Sequence, residues 1–514
     1  MPALPRSAAL LACGACFAAP LAAQGAPLDI SQTTIAQLQA GYRDDMLTCR
    51  TVVERSLAQI EAHDKRGIGL NAIILTNPEA LAIADSLDRR FRVGGPVGPL
   101  HCVPMIIKDN FDTQGLQTAA GSLSLQGHVP ATDAFQVTRI KAAGAIVLAK
   151  SNMAEFAFSP LETVGSLLPG YTRNPYDPSR VTAGSSGGTA AAVAAGYGTV
   201  GLGTDTGNSI RGPSSHQALV GIRSTMGLTS RAGVIPLSMA ADIAGPMARS
   251  VADAVAVFQV IVGSDPADPV TAEADAHVQL DYASALRADG LRGARIAVLN
   301  QAWERPSTDP EVRAVFQQAV ADLRRAGATV LDSIPLPGYD SLSRTSRGCN
   351  RFKHDMDAYL AEHPTAPLKS VAEILRSGRF HPSVQVRLQS AAAVDSTPDR
   401  DPGCQARKRY AEGLRELVTR QMDALQLDAL VYPTWSNAPR LIGDLNTPGG
   451  DNSQVFSPAT GFPAVNVPMG WLREGKLPTG MTFFGRAWSE PVLFRLAYAY
   501  EQATLHRRAP VLGR

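Results

Sequence analysis

The chain has 514 residues, a length that allows one large α/β domain with a continuous core. Its 48 lysines and arginines nearly balance 46 acidic residues, and the net charge is +2. The sequence contains no basic block interleaved with aromatic residues, so the composition argues against nucleic acid as a partner and favours a small molecule.

The first 23 residues have the composition of a secretory signal. An Ala/Leu-rich stretch follows Arg6, and two alanines precede Gln24. We therefore predict a signal peptide at residues 1–23 and an exported mature protein, periplasmic or extracellular. An ordinary first helix and a lipoprotein signal that ends at Cys13 are the alternatives. No later apolar run is long enough to cross a bilayer, so we predict no stable membrane span.

The next part of the chain is predicted to form helices and then alternating strands and helices. Apolar residues recur at helical spacing over 33–64, and the Asn-Pro-Glu sequence at 77–79 is typical of a helix start. Short β-type runs at 103–107 and 145–148 flank a helical segment at 134–143. This alternation predicts a sheet covered by helices.

Lys108 follows directly after the apolar run Val103–Ile107. Lysine is a poor base at its ordinary pKa of about 10.4, but burial lowers that pKa by up to about 3–5 units. Lys108 is therefore a candidate general base. The alternative is a lysine at a strand end whose amine reaches water.

Two turns rich in glycine and serine carry the candidate nucleophiles. Residues 183–188 read Ala-Gly-Ser-Ser-Gly-Gly, and a helix of small residues is predicted at 189–196. A strand predicted at 199–202 leads into 203–213, which reads Gly-Thr-Asp-Thr-Gly-Asn-Ser-Ile-Arg-Gly-Pro. Glycine lets the backbone N–H groups of such turns approach a reacting carbonyl closely.

Amide hydrolysis requires a nucleophile, a proton shuttle and donors for the developing oxyanion. We predict Ser209 as the nucleophile. The backbone N–H groups predicted to form the oxyanion hole belong to Thr206, Gly207, Asn208 and Ser209. Asp205 and Arg211 flank this turn, and they form either an ion pair that braces it or two separate solvated charges.

The α/β alternation resumes after residue 266. Strands are predicted at 294–299 and 328–331, with a helix at 309–326 between them, and a long helix is predicted at 405–427. We expect residues 266–420 to form a peripheral α/β and helical part that supplies one wall of the pocket.

The chain has six cysteines, of which Cys13 and Cys16 fall within the predicted signal peptide. In an oxidising compartment Cys349 and Cys404 could pair, although the sequence alone does not establish the bond. Cys102 lies inside an apolar strand, and we predict that it is a buried free thiol.

Taken together, these motifs resemble the amidase signature family, whose members use a Ser-cisSer-Lys triad. The resemblance covers most of the mature chain, residues 24–514, and is densest between 98 and 246. It implies a single large α/β domain with a mixed central β-sheet flanked by helices. It also implies an amidase that hydrolyses a carboxylic amide to an acid and an amine or ammonia.

The resemblance assigns roles to individual residues. Lys108 would be the base, and Ser185, preceded by a cis peptide bond, would bridge it to the nucleophile Ser209. An acyl-enzyme would form on Ser209, while Ser186 would support the turn by hydrogen bonding. Asn208 stands where the family usually has glycine. Asparagine tolerates left-handed φ better than other non-glycine residues, so we expect the oxyanion hole to survive.

Other interpretations remain open. The sequence 184–188 also fits the nucleophile elbow of α/β-hydrolases, which would make Ser186 the nucleophile of an esterase, but the preceding residues are polar for the strand that an elbow requires. A non-catalytic binding protein that retains the fold is a further alternative. The family's glutamine-hydrolysing role in transfer-RNA amidation is disfavoured by the predicted signal peptide. His101 and His216 are expected to be structural.

Neither metal-ligand spacing nor a phosphate-binding loop occurs in the sequence, so we predict no cofactor and no metal. The identity of the amide substrate and the oligomeric state are left open.

Overall fold

The computed structural model describes residues 1–2 and 29–513. The signal peptide predicted at residues 1–23 lies outside the described residues, apart from Met1 and Pro2. Within the described part of the chain, no helix is both long and apolar enough to cross a membrane.

The strands of the described chain are β1 (Ile73–Thr76), β2 (Pro104–Lys108), β3 (Ile146–Ser151), β4 (Arg173–Asn174), β5 (Asp177–Val181), β6 (Val200–Asp205), β7 (Val220–Arg223), β8 (Ile243–Ala248), β9 (Arg295–Val298), β10 (Thr329–Leu331), β11 (Ala429–Pro433), β12 (Ala464–Leu472) and β13 (Leu477–Phe484). The α-helices are α1 (Ile35–Arg43), α2 (Cys49–His63), α3 (Ala80–Gly94), α4 (Phe135–Ala142), α5 (Gly187–Ala194), α6 (Arg211–His216), α7 (Val251–Ile261), α8 (Asn300–Trp303), α9 (Pro310–Arg325), α10 (Tyr339–Ser343), α11 (Phe352–Glu362), α12 (Val371–Ser377), α13 (Gln385–Ala392), α14 (Pro402–Ala424), α15 (Phe456–Thr460) and α16 (Glu490–Thr504). Short 3-10 helices occur at Ile30–Gln32, Leu123–Leu125, Glu155–Ala157, Pro269–Thr271, Ala274–Ala276, Ala283–Ala285 and Pro382–Val384.

Eleven of these strands form one mixed sheet in the order β1-β3-β2-β6-β8-β7-β12-β13-β11-β9-β10. Helices flank this sheet, and strands β4 and β5 form a separate antiparallel pair. The predicted fold class, a single α/β domain around a mixed central sheet, is confirmed. The helical pattern over 33–64 forms two helices, α1 and α2, because the chain turns between them at 44–48.

The sheet brings the ends of two sequence motifs together. Strand β2 pairs in parallel with β6, in a register that sets Ile106 beside Gly201. The carboxyl ends of parallel neighbours lie at the same edge of a sheet. The residue at the end of β2, Lys108, therefore lies close to Thr204 and Asp205 at the end of β6.

Helix α5 packs tightly against this part of the sheet. All eight of its residues are buried, and they are glycine, alanine, threonine and valine, so the helix can approach the strands closely. A Cβ on Gly201 would come within 2.5 Å of Thr189 Cγ2. This close packing fixes the start of α5, and with it the serine turn that precedes the helix.

Two disulfides join distant segments. Cys349 bonds Cys404, the pair whose bonding the sequence left open. Cys102 bonds Cys49 of α2, so the prediction that Cys102 is a free buried thiol is wrong. Both sulfurs are buried, and an apolar setting suits a half-cystine as well as a thiol, so the sequence around Cys102 did not distinguish them.

Candidate active site

Lys108 is completely buried at the end of β2. Its Nζ donates to Ser185 Oγ at 2.7 Å and to Thr204 Oγ1 at 2.7 Å, with Thr204 O at 3.4 Å. Burial lowers the pKa of Lys108 to about 7, although the negative charges of Asp242 and Asp205 oppose this shift. Near neutral pH a large share of this amine is therefore unprotonated, as a base must be.

Ser185 lies in the turn between β5 and α5, and the peptide bond between Gly184 and Ser185 is cis. The Ser185 carbonyl accepts a hydrogen bond from the N–H of Ala154 at 3.1 Å, and the N–H of Gly184 donates to Pro160 O at 3.0 Å. A Cβ on Gly184 would come within 2.5 Å of Ser159 O, so the turn requires glycine here. These contacts hold the Ser185 hydroxyl against Lys108.

Ser209 lies in the turn between β6 and α6 and is 5% exposed. The N–H of Ser186 donates to the carbonyl of Ser209 at 3.2 Å, so the two serine turns contact each other directly. The Ser186 hydroxyl donates to Thr204 O at 3.2 Å and accepts the Thr204 N–H at 3.3 Å. Ser186 thus links its turn to the end of β6.

A buried charge cluster braces the turn that carries Ser209. The Asp205 carboxylate accepts hydrogen bonds from Arg211 Nε and Arg223 Nη1, each at 3.0 Å, and from the N–H of Ile210 at 3.2 Å. Burial acts to raise the pKa of Asp205, but the two guanidinium groups outweigh it and hold that pKa at about 2. Of the two interpretations of Asp205 and Arg211, the structure forms the ion pair.

Arg211 also holds the backbone of the predicted oxyanion turn, because its Nη2 donates to Gly207 O at 2.7 Å. The Thr206 hydroxyl donates to the buried Asp242 carboxylate, which fixes the start of the same turn. The first two residues of the 206–209 segment are therefore attached to buried charged groups.

The φ of Asn208 is not positive, so the tolerance of asparagine for left-handed φ is not needed at this residue. The turn is shaped so that no glycine-like conformation is needed at this residue. The side-chain amide is buried, with neither polar atom hydrogen-bonded within the described chain. It packs against Gly212 of α6, where an added Cβ would come within 2.4 Å of Asn208 Nδ2.

A cavity of about 1250 Å³ opens at this turn. Thr206, Gly207 and Ser209 line one side of it, and residues between 347 and 415 line another. Lys108 and Ser185 are fully buried. The Ser209 hydroxyl is therefore the group of the three that a molecule in the cavity can meet.

Sequence reasoning missed Thr204, Asp242 and Arg223, which contact the predicted residues. Thr204 belongs to the 203–213 motif, and its position one residue before Asp205 at a strand end was the available signal. Arg223 ends β7 and Asp242 precedes β8, so only the sheet order brings them to the site.

The two histidines near the motifs have structural surroundings. His101 stacks on Phe91 with ring centroids 5.2 Å apart. His216 packs on Trp435 at 4.8 Å, and burial lowers the pKa of His216 to about 3, so it stays neutral. Both environments agree with the expected structural role.

Within the described residues, two groups have side chains close enough to hold a metal ion. One contains Cys49, His101 and Cys102, but its two sulfurs are bonded to each other. The other contains Asp112, His128 and His363. Asp112 accepts the Tyr359 hydroxyl at 2.7 Å and lies 2.8 Å from His363 Nε2, so this group forms a hydrogen-bonded link between α11 and the core.

Comparisons with known proteins agree on one family. The family model for amidases matches residues 51–494. A probable amidase of Arabidopsis thaliana is 33% identical over 501 residues, covering 94% of this chain and 92% of the relative. One component of the glutamyl-tRNA(Gln) amidotransferase from Moorella thermoacetica is 35% identical over 455 residues, 85% of this chain and 90% of the relative. Among solved structures, the peptide amidase of Stenotrophomonas maltophilia is 38% identical, with a TM-score of 0.84 over 94% of this chain and 99% of that one.

Proposed function

The chain belongs to the amidase signature family and is a hydrolase of C–N amide bonds, and we propose that it acts through an acyl-enzyme on Ser209 formed with a Lys108–Ser185 proton relay. The observation that carries the proposal is the 2.7 Å contact between Lys108 Nζ and Ser185 Oγ at a fully buried amine. A lysine with a pKa of about 7 is suited to general-base catalysis near neutral pH.

In the first half of the reaction, neutral Lys108 accepts the hydroxyl proton of Ser185 while Ser185 takes the proton of Ser209. The Ser209 oxygen attacks the amide carbon, and the tetrahedral intermediate collapses as the proton returns by the same path to the leaving nitrogen. The amine or ammonia leaves. Water then attacks the Ser209 ester with the same relay, and the acid is released.

The oxyanion formed in each half needs donors, and the turn 206–209 supplies backbone N–H groups. Arg211 binds the carbonyl of Gly207, and the N–H of Asn208 belongs to the same planar peptide. In a trans peptide the C=O and N–H point in opposite directions, so the Asn208 N–H is directed away from Arg211. This arrangement supports the N–H of Asn208 as one donor of an oxyanion hole that we propose at Thr206, Gly207, Asn208 and Ser209, with a positioning role for Arg211 and Asp205.

We also propose that the enzyme is exported. The support is the signal-like composition of residues 1–23 together with the Cys49–Cys102 and Cys349–Cys404 disulfides, since such bonds persist mainly in oxidising compartments. Fractionation of cells that express the full chain tests this. Recovery outside the cytoplasm with an N-terminus near Gln24 supports export, and an intact N-terminus in the cytoplasm contradicts it.

The nucleophile is tested with a serine-reactive fluorophosphonate, followed by peptide mapping and turnover of an amide panel. The likeness to a peptide amidase adds peptide amides to that panel. We expect an adduct on Ser209 that is lost in Ser209→Ala and retained in Ser186→Ala. An adduct on Ser186 would instead favour the esterase alternative. Absence of both adduct and turnover would favour the non-catalytic binding protein.

A further inference from the structure

We propose that the substrate of this site carries an anionic group, with a carboxylate as the best fit, which binds to a cationic wall of the cavity. This inference rests on the proposed function, because it concerns the same cavity that Ser209 lines. It adds a class of substrate, namely amides of acids or amines that bear a second, negatively charged group.

The first observation is an imbalance of charge around the cavity. Arg347, Arg351, Arg387, Arg407, Lys408 and Arg415 all line it. The carboxylates among the lining residues are Asp399 and Asp451, and burial raises the pKa of Asp451 to about 6. The whole chain is close to electroneutral, so this excess belongs to the cavity and not to the composition.

The second observation is that most of these cations are not committed to a carboxylate. Arg351 forms an ion pair with Asp355. The other five have no carboxylate oxygen within 4.0 Å in the described part of the chain. Four of the five contact neutral groups. Arg347 donates to Arg344 O at 2.8 Å, Arg407 to Ser346 Oγ at 3.1 Å and Arg415 to Thr460 O at 3.5 Å, and Arg387 lies over the ring of Phe158 at 5.8 Å.

The third observation is that these cations converge from separate segments. Lys408, Ala411 and Arg415 lie on α14 at steps of three and four residues, the spacing of a single helix face, and Arg407 is adjacent to Lys408. Arg409 of the same helix does not line the cavity. Arg347 comes from the segment before α11, and the Cys349–Cys404 disulfide ties that segment to the start of α14. A solvated charge run would lie within one segment, whereas these residues meet at one surface.

The chemistry of this wall identifies its ligand. A guanidinium group binds a carboxylate through two parallel hydrogen bonds, and a concave surface of one charge sign concentrates ions of the opposite sign. The turn that carries Ser209 contributes Thr206 and Gly207 to the lining, both uncharged, and Asp451 lies near this turn, where it interacts with Arg211 and accepts a hydrogen bond from Gln454. In the proposed complex the scissile amide lies at the Ser209 turn, which contributes no cation to the lining, and the anionic group lies at the cationic wall.

The test uses pairs of 4-nitroanilides that differ only in charge at the far end of the acyl chain. The succinyl, glutaryl, adipoyl and suberoyl 4-nitroanilides each end in a carboxylate. The matched neutral compounds end in a dimethylated carboxamide, so that loss of ammonia cannot convert the neutral member into the charged one. Binding is measured calorimetrically to Ser209→Ala, which separates recognition from turnover. Release of 4-nitroaniline is measured with the Ser209-containing protein.

We expect the best carboxylate compound to bind at least about tenfold more tightly than its carboxamide, which corresponds to about 1.4 kcal/mol. This preference should fall as salt is added. It should disappear in R407Q/K408Q/R415Q and persist in R409Q, the control on the same helix. Unchanged binding of the carboxamide to the triple variant shows that its cavity is intact, and each single variant is measured if that binding is lost.

The inference is overturned if the carboxylate and the carboxamide of each pair bind equally at every chain length, or if neither binds. It is also overturned if the preference for the carboxylate survives in R407Q/K408Q/R415Q. If nitroaniline is released equally from both members, the proposed function stands and the anionic substrate class is wrong. If the carboxylate preference is found but no amide or ester of the panel is turned over, the cationic wall stands and the proposed mechanism is wrong.

Discussion

Two buried lysines lie on neighbouring strands of the sheet, and they differ in what they contact. Strands β2 and β3 are parallel, with Ile107 beside Lys150 and Lys108 beside Ser151. Neither lysine side chain is exposed, and burial lowers the pKa of Lys108 to about 7 and that of Lys150 to about 8. By burial and pKa alone, each qualifies as a general base.

Their hydrogen-bond partners separate them. Lys150 donates to Phe111 O at 2.5 Å and to Thr118 Oγ1 at 2.7 Å, which ties down the loop after β2. Lys108 donates to Ser185 Oγ, in a turn that contacts the turn of Ser209. A shifted pKa therefore does not mark a catalytic lysine by itself; a path to a group that lines the cavity does.

The largest effect tests the end of that path. Ser209→Ala leaves both lysines in place and removes the proposed nucleophile, so we expect turnover to fall by about 10⁴-fold or more. Steady-state kinetics on an amide substrate measures this. Ser186→Ala should lower turnover much less, since the Ser186 hydroxyl is hydrogen-bonded to the backbone of Thr204. An equal loss of turnover in both variants would contradict the assignment of Ser209 as the nucleophile.

The second prediction compares the lysines directly. Lys108→Met should lower kcat by about 10²–10⁴-fold through loss of the base. Lys150→Met should keep kcat within a few-fold but lower the free energy of unfolding by about 1–3 kcal/mol, because Phe111 O and the Thr118 hydroxyl lose a buried donor. Kinetics and urea unfolding of both variants measure the difference. If folded Lys150→Met protein lost as much kcat as Lys108→Met, the proposed distinction between a catalytic Lys108 and a structural Lys150 would be wrong.

The third prediction uses pH to decide which lysine controls the rate. Protonated Lys108 cannot accept a proton, so kcat/KM should fall about tenfold per pH unit below an inflection near pH 7, the pKa given by its burial. Above the inflection the rate should level off. An inflection near pH 8 that disappears in Lys150→Met would assign control to the other lysine instead.

The smallest effect concerns the second hydroxyl at Lys108. Thr204→Val removes one acceptor of the amine but leaves Ser185 in place, so we expect kcat/KM to fall about three- to tenfold. The pH profile should shift to a lower inflection, since a charged amine then has fewer acceptors. An unchanged rate and inflection would show that Thr204 does not position Lys108.

The features of the site that could be predicted from the sequence are those that depend on residues close together in the chain. An apolar run that ends in lysine indicates a buried strand end, and glycine and serine before a helix of small residues indicate a tight turn. Lys108 and Ser209 could therefore be proposed from these patterns without coordinates, whereas the bridging role of Ser185 came from the resemblance to the amidase signature family. The alternation of strands and helices predicted a helix-covered sheet.

The remaining features depend on which distant segments meet. Arg223 and Asp242 reach the site because β7 and β8 follow β6 in the sheet order. The burial pattern around Cys102 is the same for a thiol and a half-cystine, so its bond to Cys49 could not be predicted. The conformation of Asn208 depends on the turn as a whole, so the tolerance of asparagine for left-handed φ did not determine its φ.

The bond between Cys349 and Cys404 has a practical consequence for how the protein is handled. Both cysteines line the cavity, so this covalent tie is itself part of the wall that a substrate touches. Reductant in a purification buffer would reduce this disulfide while leaving Lys108, Ser185 and Ser209 unaltered. Preparations with the same turnover of a small amide would then differ in which longer substrates they accept, so the thiol content of each sample should be measured before specificities are compared.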